Sequence, residues 1–452
     1  MENKEYDVIV VGGGISGAMA AIGAARAGAK TLVVEQYGFL GGMLTAAGVG
    51  PMMTFHAGDE QVVKGTTGEL IDRLVKKKLS PGHIFDTTGF TYTVTPFDVE
   101  GMKRELELML TEADGEMLYH AMLASVEAED GQVKSITVCT KAGLITLRAK
   151  VFVDATGDAD LALHAGVECT SGRPSDGACQ PMTMKMRMMN VDMQKVRSYI
   201  KANPDEFPRL KGDVDKIDKA SRLSIGGFVK TLEKGRAAGD FTFPREDILF
   251  FEANSAGEVI VNTTRINGFD STDPWSMSLA EMEGRRQAHE VERFLIKWVA
   301  GFENAVMVYT GPQIGVRSSR QIKGRYTLTG QDVVERRVFS DTIAHTGYPI
   351  DIHSPDGAGT AAQKVEWGSY CSIPFQCLVN DQIGNLITVG RCISVDFEAQ
   401  GGVRTTPTMG AVGQAGGIAA AIAVHSDRPV GDIDVPQLQK ELLAQGSFLS
   451  YE

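Results

Sequence analysis

Six cysteines are scattered through 452 residues, at positions 139, 169, 179, 371, 377 and 392, and no two of them form a C-x-x-C pair. No His/Cys cluster has zinc-site spacing, and the C-x-x-C-x-x-C run used by many iron–sulfur clusters is absent. A reduced chain without a metal centre or a dithiol relay is expected. The opening MENKEYDVIVVGGG lacks a positively charged leader ahead of a cleavable apolar core, and no run of about 18 uninterrupted apolar residues occurs. Secretion and membrane spanning are therefore not expected, and a cytoplasmic location is. Positive charge is also short. With 45 Lys and Arg against 57 Asp and Glu, the net charge is −12, which opposes nucleic acid and anionic membrane surfaces as partners. Proline numbers only 16, and the absence of a three-residue period excludes collagen-like and low-complexity chains.

Glycine, by contrast, is abundant. Its 51 residues make about 11% of the chain against an ordinary share of about 7%. Eleven fall in residues 12–50 and six in residues 401–417. The first group opens on a legible unit. DVIVV (residues 7–11) is a short β-branched run with the look of a buried parallel strand. Gly12, Gly14 and Gly17 then complete G-x-G-x-x-G, an Ala-rich helix runs to a left-handed stop at Gly28, and a second strand (Thr31–Val34) ends in Glu35. Strand, glycine turn, helix, strand and acid in this order form a dinucleotide-binding crossover. Gly12 permits the turn, Gly14 lets the backbone approach a pyrophosphate at the helix N-terminus, and Gly17 lets the helix pack against the sheet. Glu35 is suited to accept from a ribose hydroxyl, and its charge disfavours a 2′-phosphate there.

Further on, GELIDRLVKKKL and DVEGMKRELELMLTEA have helical spacing, with the strand-like FTYTVTPF between them. From Met117 the pattern becomes a three-stranded meander ending in VFVDATGDADLA. PMTMKMRMMN alternates Met182, Met184, Met186 and Met188 with Thr183, Lys185 and Arg187, a strand with one apolar and one polar face whose methionines read as core. A charged helical stretch near 190–240, the strand-like GEVIVNTTRI and the helix SLAEMEGRRQAHEVERFLIKWVAGF follow. No second strand-GxGxxG-helix unit appears, so a separate NAD(P)H domain is not expected. The chain returns to glycine in NLITVGRCISVDFEAQGGVRTTPTMGAVGQAGGIAAAIAV, with Thr406 as the expected N-cap of a helix that has Pro407 at its first position.

The Gly41-Gly42 doublet, six residues past Glu35, is similar to the doublet of glutathione-reductase-type flavoproteins. VIVVGGGISGAMAAIGAARAGAKTLVVE, DATGDADLA, GVRSSRQIKGRYTLTGQDV, YCSIPFQCLVN and NLITVGRCIS together resemble the bacterial FAD-dependent oxidoreductase family, itself distantly similar to the heterodisulfide-reductase flavoproteins. The resemblance runs over nearly the whole chain. It implies an α/β fold: a Rossmann-type FAD-binding domain of glutathione-reductase type with an inserted α+β substrate domain, divided as residues 1–170, 171–374 and 375–452. It implies noncovalent FAD, since no histidine adjoins the doublet and His56 is the nearest. The implied FAD contacts are Gly12, Gly14, Ile15, Ser16, Gly17, Glu35, Gly41, Gly42, Met43, Leu123, Ala155, Thr156, Gly157, Gly390, Arg391 and Met409. In such relatives the C-terminal helix points its N-terminus at the flavin, where reduced flavin becomes anionic.

Flavin chemistry also needs an acid or base and a group to hold the substrate. His353, at the end of IDIH in a Pro/Gly/Asp-rich loop region, is the first candidate, with His345 beside it in sequence; Tyr370 in GSYCSIPF is the second. Arg317 and Arg320 in GVRSSR, with Arg391 and Arg404, either fork onto a small anionic substrate or pair with Asp332, Asp341 or Asp396 to fix the domain seam. Arg404 and Arg317 join His353 and Tyr370 as catalytic candidates, and Cys371 and Cys377 read as packed thiols. The expected function is hydride transfer between a small polar or anionic organic molecule and FAD. The alternatives are a flavoprotein component of an electron-transfer complex, exchanging electrons with a carrier protein, and a non-catalytic FAD-binding protein.

Overall fold

The computed structural model describes residues 5–363 and 366–450; the first four residues, part of the opening read above for a leader, lie outside them. In the first part of the chain, β1 (Glu5–Val11) leads through the glycine turn into α1 (Ile15–Arg26), and β2 (Thr31–Val34) follows. Gly28 takes a φ of +88° just past α1, the left-handed stop expected from its position. The sheet gains β3 (Glu116–Leu118), and a meander of β4 (Met122–Glu129), β5 (Gln132–Thr140) and β6 (Gly143–Asp154) completes this half. Strand β6 serves two sheets. Its first half pairs antiparallel with β5, and its second half runs parallel to β1, in register from Glu5 with Arg148 to Val11 with Asp154. FTYTVTPF contributes only a two-residue strand, Thr93–Val94, between the helices Gly65–Lys76 and Val99–Glu112.

The middle of the chain builds a second, antiparallel sheet from β7 (Met186–Met189), β8 (Ser224–Gly227), β9 (Ile248–Glu252), β10 (Val259–Val261) and, after the long helix α2 (Pro274–Trp298), β11 (Val306–Thr310). Its strand order is β8-β9-β10-β7-β11. Met182, Met184, Met186 and Met188 all enter its core, together with Phe228, Phe250 and Phe294. This core draws on residues from Met182 to Val316. Leu328, Val333, Ile343, Ile350, Cys371 and Ile373 pack instead into the core around α1 and β1. The chain then adds β12 (Ile350–His353) and returns to the first sheet through β13 (Leu386–Thr388), parallel to the end of β6, and two helices close it: α3 (Phe397–Val403) and α4 (Thr406–Ser426). The parallel strand order is therefore β3-β2-β1-β6-β13.

Helix α4 begins one residue earlier than its proline suggests, with Thr405 in extended geometry as the N-cap in place of Thr406. Among the described residues it is the one helix with the length and mean hydropathy (1.3) of a membrane span, and nearly all of it is buried inside the protein. Its glycines meet a main chain. A Cβ at Gly413 or Gly417 would overlap the carbonyl oxygens of Ser16 or Ala20 in α1, and one at Gly23 of α1 would lie 2.8 Å from the Gln414 oxygen. Gly413 and Gly417 thus serve a backbone-to-backbone crossing of α1 with α4. That crossing aims the N-termini of both helices at one place.

Candidate active site

That place is a cavity of about 770 Å³ at the carboxyl ends of β1, β2 and β6, roofed by the polar face of the second sheet. Ligands in open α/β sheets bind at this edge. Gly12, Gly14, Ile15, Ser16, Glu35, Gly42, Met43, Leu123, Ala155, Thr156, Gly157, Gly390, Arg391 and Met409 all line it, as do Thr405 and Thr406 at the head of α4. Gly17 and Gly41 stand behind the wall. A Cβ on Gly17 would overlap the Gly12 carbonyl, and Gly41, at φ +109°, donates its N–H to the Gly13 carbonyl at 2.8 Å.

The glycines of the turn differ in what surrounds them. At Gly12, φ is +98° and a Cβ would sit 2.5 Å from the Ala155 oxygen, so the backbone itself demands glycine. At Gly14 the nearest protein atom to a Cβ is the Gly42 Cα, 3.9 Å away, and φ is an ordinary −58°. The protein leaves that space open on the cavity side, at the N-terminus of α1, as a diphosphate requires. Glu35 is buried and accepts from the Gly13 N–H at 2.6 Å and the Tyr37 N–H at 2.8 Å; burial raises its pKa while these donors oppose the shift. Arg391 reaches Asp158 at 2.8 Å, and its buried Nε has no partner among the described residues. A dinucleotide fits this set. His56 does not line the cavity, lying against His83 and Thr93.

The catalytic candidates divide. His353, Arg317 and Arg404 come together in the cavity wall. Tyr370 does not: its ring stands edge-on to His345 and Phe448. His345 is likewise core, held by Ser372 Oγ and the Ser450 N–H, and burial pulls it down to about 4. None of the four arginines pairs with Asp332, Asp341 or Asp396. Arg320 bonds Asp160 and Arg391 bonds Asp158, which ties the ATG turn to its surroundings. Arg404 reaches Asp351 at 3.6 Å and the Gln180 side chain at 3.4 Å, while Arg317 donates to the Pro181 carbonyl. Burial, then the nearby Arg404 charge, lowers Arg317 to about 9, so it stays cationic at neutral pH.

Asp351, two residues before His353 and therefore on the same face of β12, was not among the expected residues. Its Oδ2 faces His353 Nε2 at 3.3 Å and accepts from the Tyr348 hydroxyl at 3.3 Å. Burial alone would raise Asp351, but His353, Arg404 and Arg317 outweigh it and hold the carboxyl below its ordinary range. On the other side of the ring, His353 Nδ1 meets Arg265 Nη1 at 3.4 Å and Thr360 Oγ1 at 3.2 Å. A guanidinium only donates, so Nδ1 is the acceptor and Nε2 carries the proton toward Asp351. Burial, then Arg317, lowers His353 to about 3, which leaves it neutral. Thr183 and Lys185, from the polar face of the methionine strand, and Asn262 complete this part of the wall.

A family model described as FAD dependent oxidoreductase matches residues 7–442. The chain is 28% identical over 247 residues to digeranylgeranylglycerophospholipid reductase of Methanocella arvoryzae, a match covering 51% of this chain and 54% of the relative. It is 29% identical over 185 residues to thiamine thiazole synthase of Methanococcus aeolicus, covering 39% and 62%. The matches thus span about half to three-fifths of the length of these curated relatives. Among solved structures, a geranylgeranyl bacteriochlorophyll reductase-like protein from Thermoplasma acidophilum superposes with a TM-score of 0.47 at 15% identity, over 98% of this chain and 83% of that one.

Proposed function

The chain belongs to the FAD dependent oxidoreductase family, and from that membership we propose that it moves a hydride between a small organic anion, gripped by Arg317 and Arg404, and noncovalently held FAD. The observation that carries this reading is a charge imbalance. Arg265 is buried and Arg317 and Arg404 are partly buried around a single carboxylate, Asp351, and among the described residues neither Arg317 nor Arg265 has a carboxylate at ion-pair distance. Burying cations without counter-charge is costly, and a substrate carboxylate supplies the missing anion. Guanidinium groups also match a carboxylate in two-point geometry.

The open space at Gly14, the buried acid Glu35 and the paired N-termini of α1 and α4 support FAD lying from Glu35 across the glycine turn toward Thr405, in the manner of glutathione-reductase-type flavoproteins. The implied contacts from Gly12 to Met409 are part of this proposal. Bound FAD supplies the hydride acceptor or donor. Arg317 and Arg404 then hold the substrate anion, Asp351 restrains Arg404 and the His353 ring, and the apolar core behind Met182–Met188 keeps water from the roof. A second reading, electron exchange with a carrier protein, draws support from Trp275, Leu279 and Met282, which are exposed on the outer side of α2 while Pro274, Met277 and Glu281 of the same helix line the cavity.

Titration of the FAD-loaded protein with oxalate, followed by the flavin absorbance spectrum, tests the anion site. Saturable perturbation is expected, weakened about tenfold to a hundredfold in Arg317→Gln or Arg404→Gln, the equivalent of about 1.5–3 kcal/mol for a charge-assisted contact. No perturbation, or equal affinity in the variants, rejects it.

A further inference from the structure

Among the described residues Lys185 is the one lysine that lines the cavity, and its side chain is partly buried there. The two-residue alternation of the extended segment that leads into β7 sends Met184 and Met186 into the second core and turns Lys185 and Thr183 to the opposite side. An ammonium has three donors to satisfy. Here the nitrogen has a single partner among the described residues, the Gly50 carbonyl at 3.4 Å, and no carboxylate at ion-pair distance. The neighbouring Thr183 hydroxyl is buried and has no partner among the described residues. The charged groups facing Lys185 are Arg187 on β7, Arg317 after β11 and Arg404 after α3; across the cavity stand Asp351, already shared by Arg404 and His353, and the His353 ring. Burial, then Arg317, Arg187 and Arg404, brings Lys185 down to about 7.

His353 has no comparable freedom. Its Nε2–H is directed to Asp351 and its Nδ1 lone pair to Arg265 and Thr360. It is a positioning residue that orders the anion-binding wall.

We propose that Lys185 is the proton-transfer residue of this cavity, taking a proton from the O–H or N–H of a substrate whose carboxylate the adjoining guanidinium groups hold; this rests on the anionic-substrate reading above. In the oxidative direction the substrate H–C–X–H, with X oxygen or nitrogen, gives its X–H proton to the Lys185 lone pair. The C–H electron pair leaves as hydride to oxidised FAD, and C=X forms. The substrate loses two electrons and two hydrogens, the flavin gains the hydride, and the amine becomes an ammonium. In the reductive direction the ammonium returns its proton. Substrates of this class are 2-hydroxy or 2-amino acids and their close relatives, with 2-oxo or 2-imino acids as products. Because the amine must be neutral to accept the proton, oxidation rises with pH through about 7, and reduction falls through the same range.

Competitive acetylation of the FAD-loaded protein with acetic anhydride, read lysine by lysine by mass spectrometry between about pH 5 and pH 10, tests this without turnover, since ordinary lysines titrate near 10.4. Lys185 labelling is expected to reach its plateau with a midpoint near 7 and to be slowed by oxalate. Lys185→Met is expected to bind oxalate within about threefold of the native protein yet to lose about 100-fold or more in flavin reduction by D,L-lactate or D,L-alanine, whichever bleaches the native flavin faster, the range of general acid–base effects. Lys185→Arg, which restores charge but no titrating base, is expected not to rescue it. Labelling that is absent or follows the ordinary lysines, or undiminished reduction in Lys185→Met, overturns the proposal while oxalate binding stands. Absence of oxalate binding in the native protein overturns the anionic-substrate reading and the proposal with it.

Discussion

Gly14→Val is expected to yield a folded protein that no longer retains FAD. The main chain at Gly14 has no need of glycine: φ is −58°, and a Cβ finds only the Gly42 Cα, at 3.9 Å. The added methyl groups therefore enter the cavity at the N-terminus of α1 and occupy the position proposed for the diphosphate. Overpacking a fitted site costs about 1–3 kcal/mol or more, which converts to a loss of tenfold to beyond a hundredfold in affinity. Flavin-to-protein ratio after gel filtration is expected to fall to near zero, while the melting temperature of the flavin-free protein stays within about 2 °C of the native apo form, as for a substitution that disturbs no packed contact. Gly17→Ala is the contrasting control. Its Cβ would overlap the Gly12 carbonyl, so flavin and fold are lost together. Full flavin occupancy in Gly14→Val would remove the diphosphate from this turn.

Gly417→Ala is expected to destabilise the protein by about 3 kcal/mol or more, although alanine is the better helix former by about 1 kcal/mol. The sign is decided by the neighbour. The new methyl group would overlap the Ala20 carbonyl oxygen, a main-chain atom that cannot rotate away. To make room, α4 must move off α1, which opens a backbone-to-backbone contact in a close-packed core, and such strain costs about 1–3 kcal/mol, more when backbone must shift. Chemical denaturation is the check. Flavin loss accompanies it, because the same crossing holds both helix N-termini at the cavity. A neutral or stabilising effect would mean that the two helices are not in backbone contact.

The contrast between these glycines shows which parts of the fold were legible in the sequence. β1, the turn, α1, β2 and Glu35 form a contiguous unit whose spacing carries its own geometry, so its strand order and its cavity lining follow locally. The methionine alternation also announced a core face. What it did not announce is what its other face meets, because a polar strand face reads alike whether it looks at solvent or at a closed cavity; Lys185 and Thr183 were missed for that reason. Asp351 was available from the two-residue period of IDIH, which puts it beside His353. Arg317 and Arg404 were expected from their chemistry, but Asp351, the carboxylate that Arg404 reaches, comes from a strand remote from both in sequence. Tyr370 precedes the return to the first sheet in sequence, and its ring turns the other way because His345 and Phe448 offer it an apolar pocket. At α4, Pro407 suggested a cap at Thr406, while the extended residue is Thr405. The six glycines of residues 401–417 stood out by number alone, and only the fold shows that Gly413 and Gly417 approach the main chain of α1.

The central claim is that this FAD-dependent oxidoreductase acts on a small organic anion held by the cavity-lining Arg317 and Arg404. Its most direct test is anaerobic reduction of the purified, FAD-loaded protein by a panel of 2-hydroxy and 2-amino acids, each paired with its uncharged amide or ester. Bleaching of the flavin absorbance by at least one free acid, with the matched neutral derivative slower by about 100-fold, is the expected result, in line with loss of a charge-assisted contact in a buried site. Equal bleaching by acid and neutral derivative, or bleaching by a reduced carrier protein alone, would contradict it.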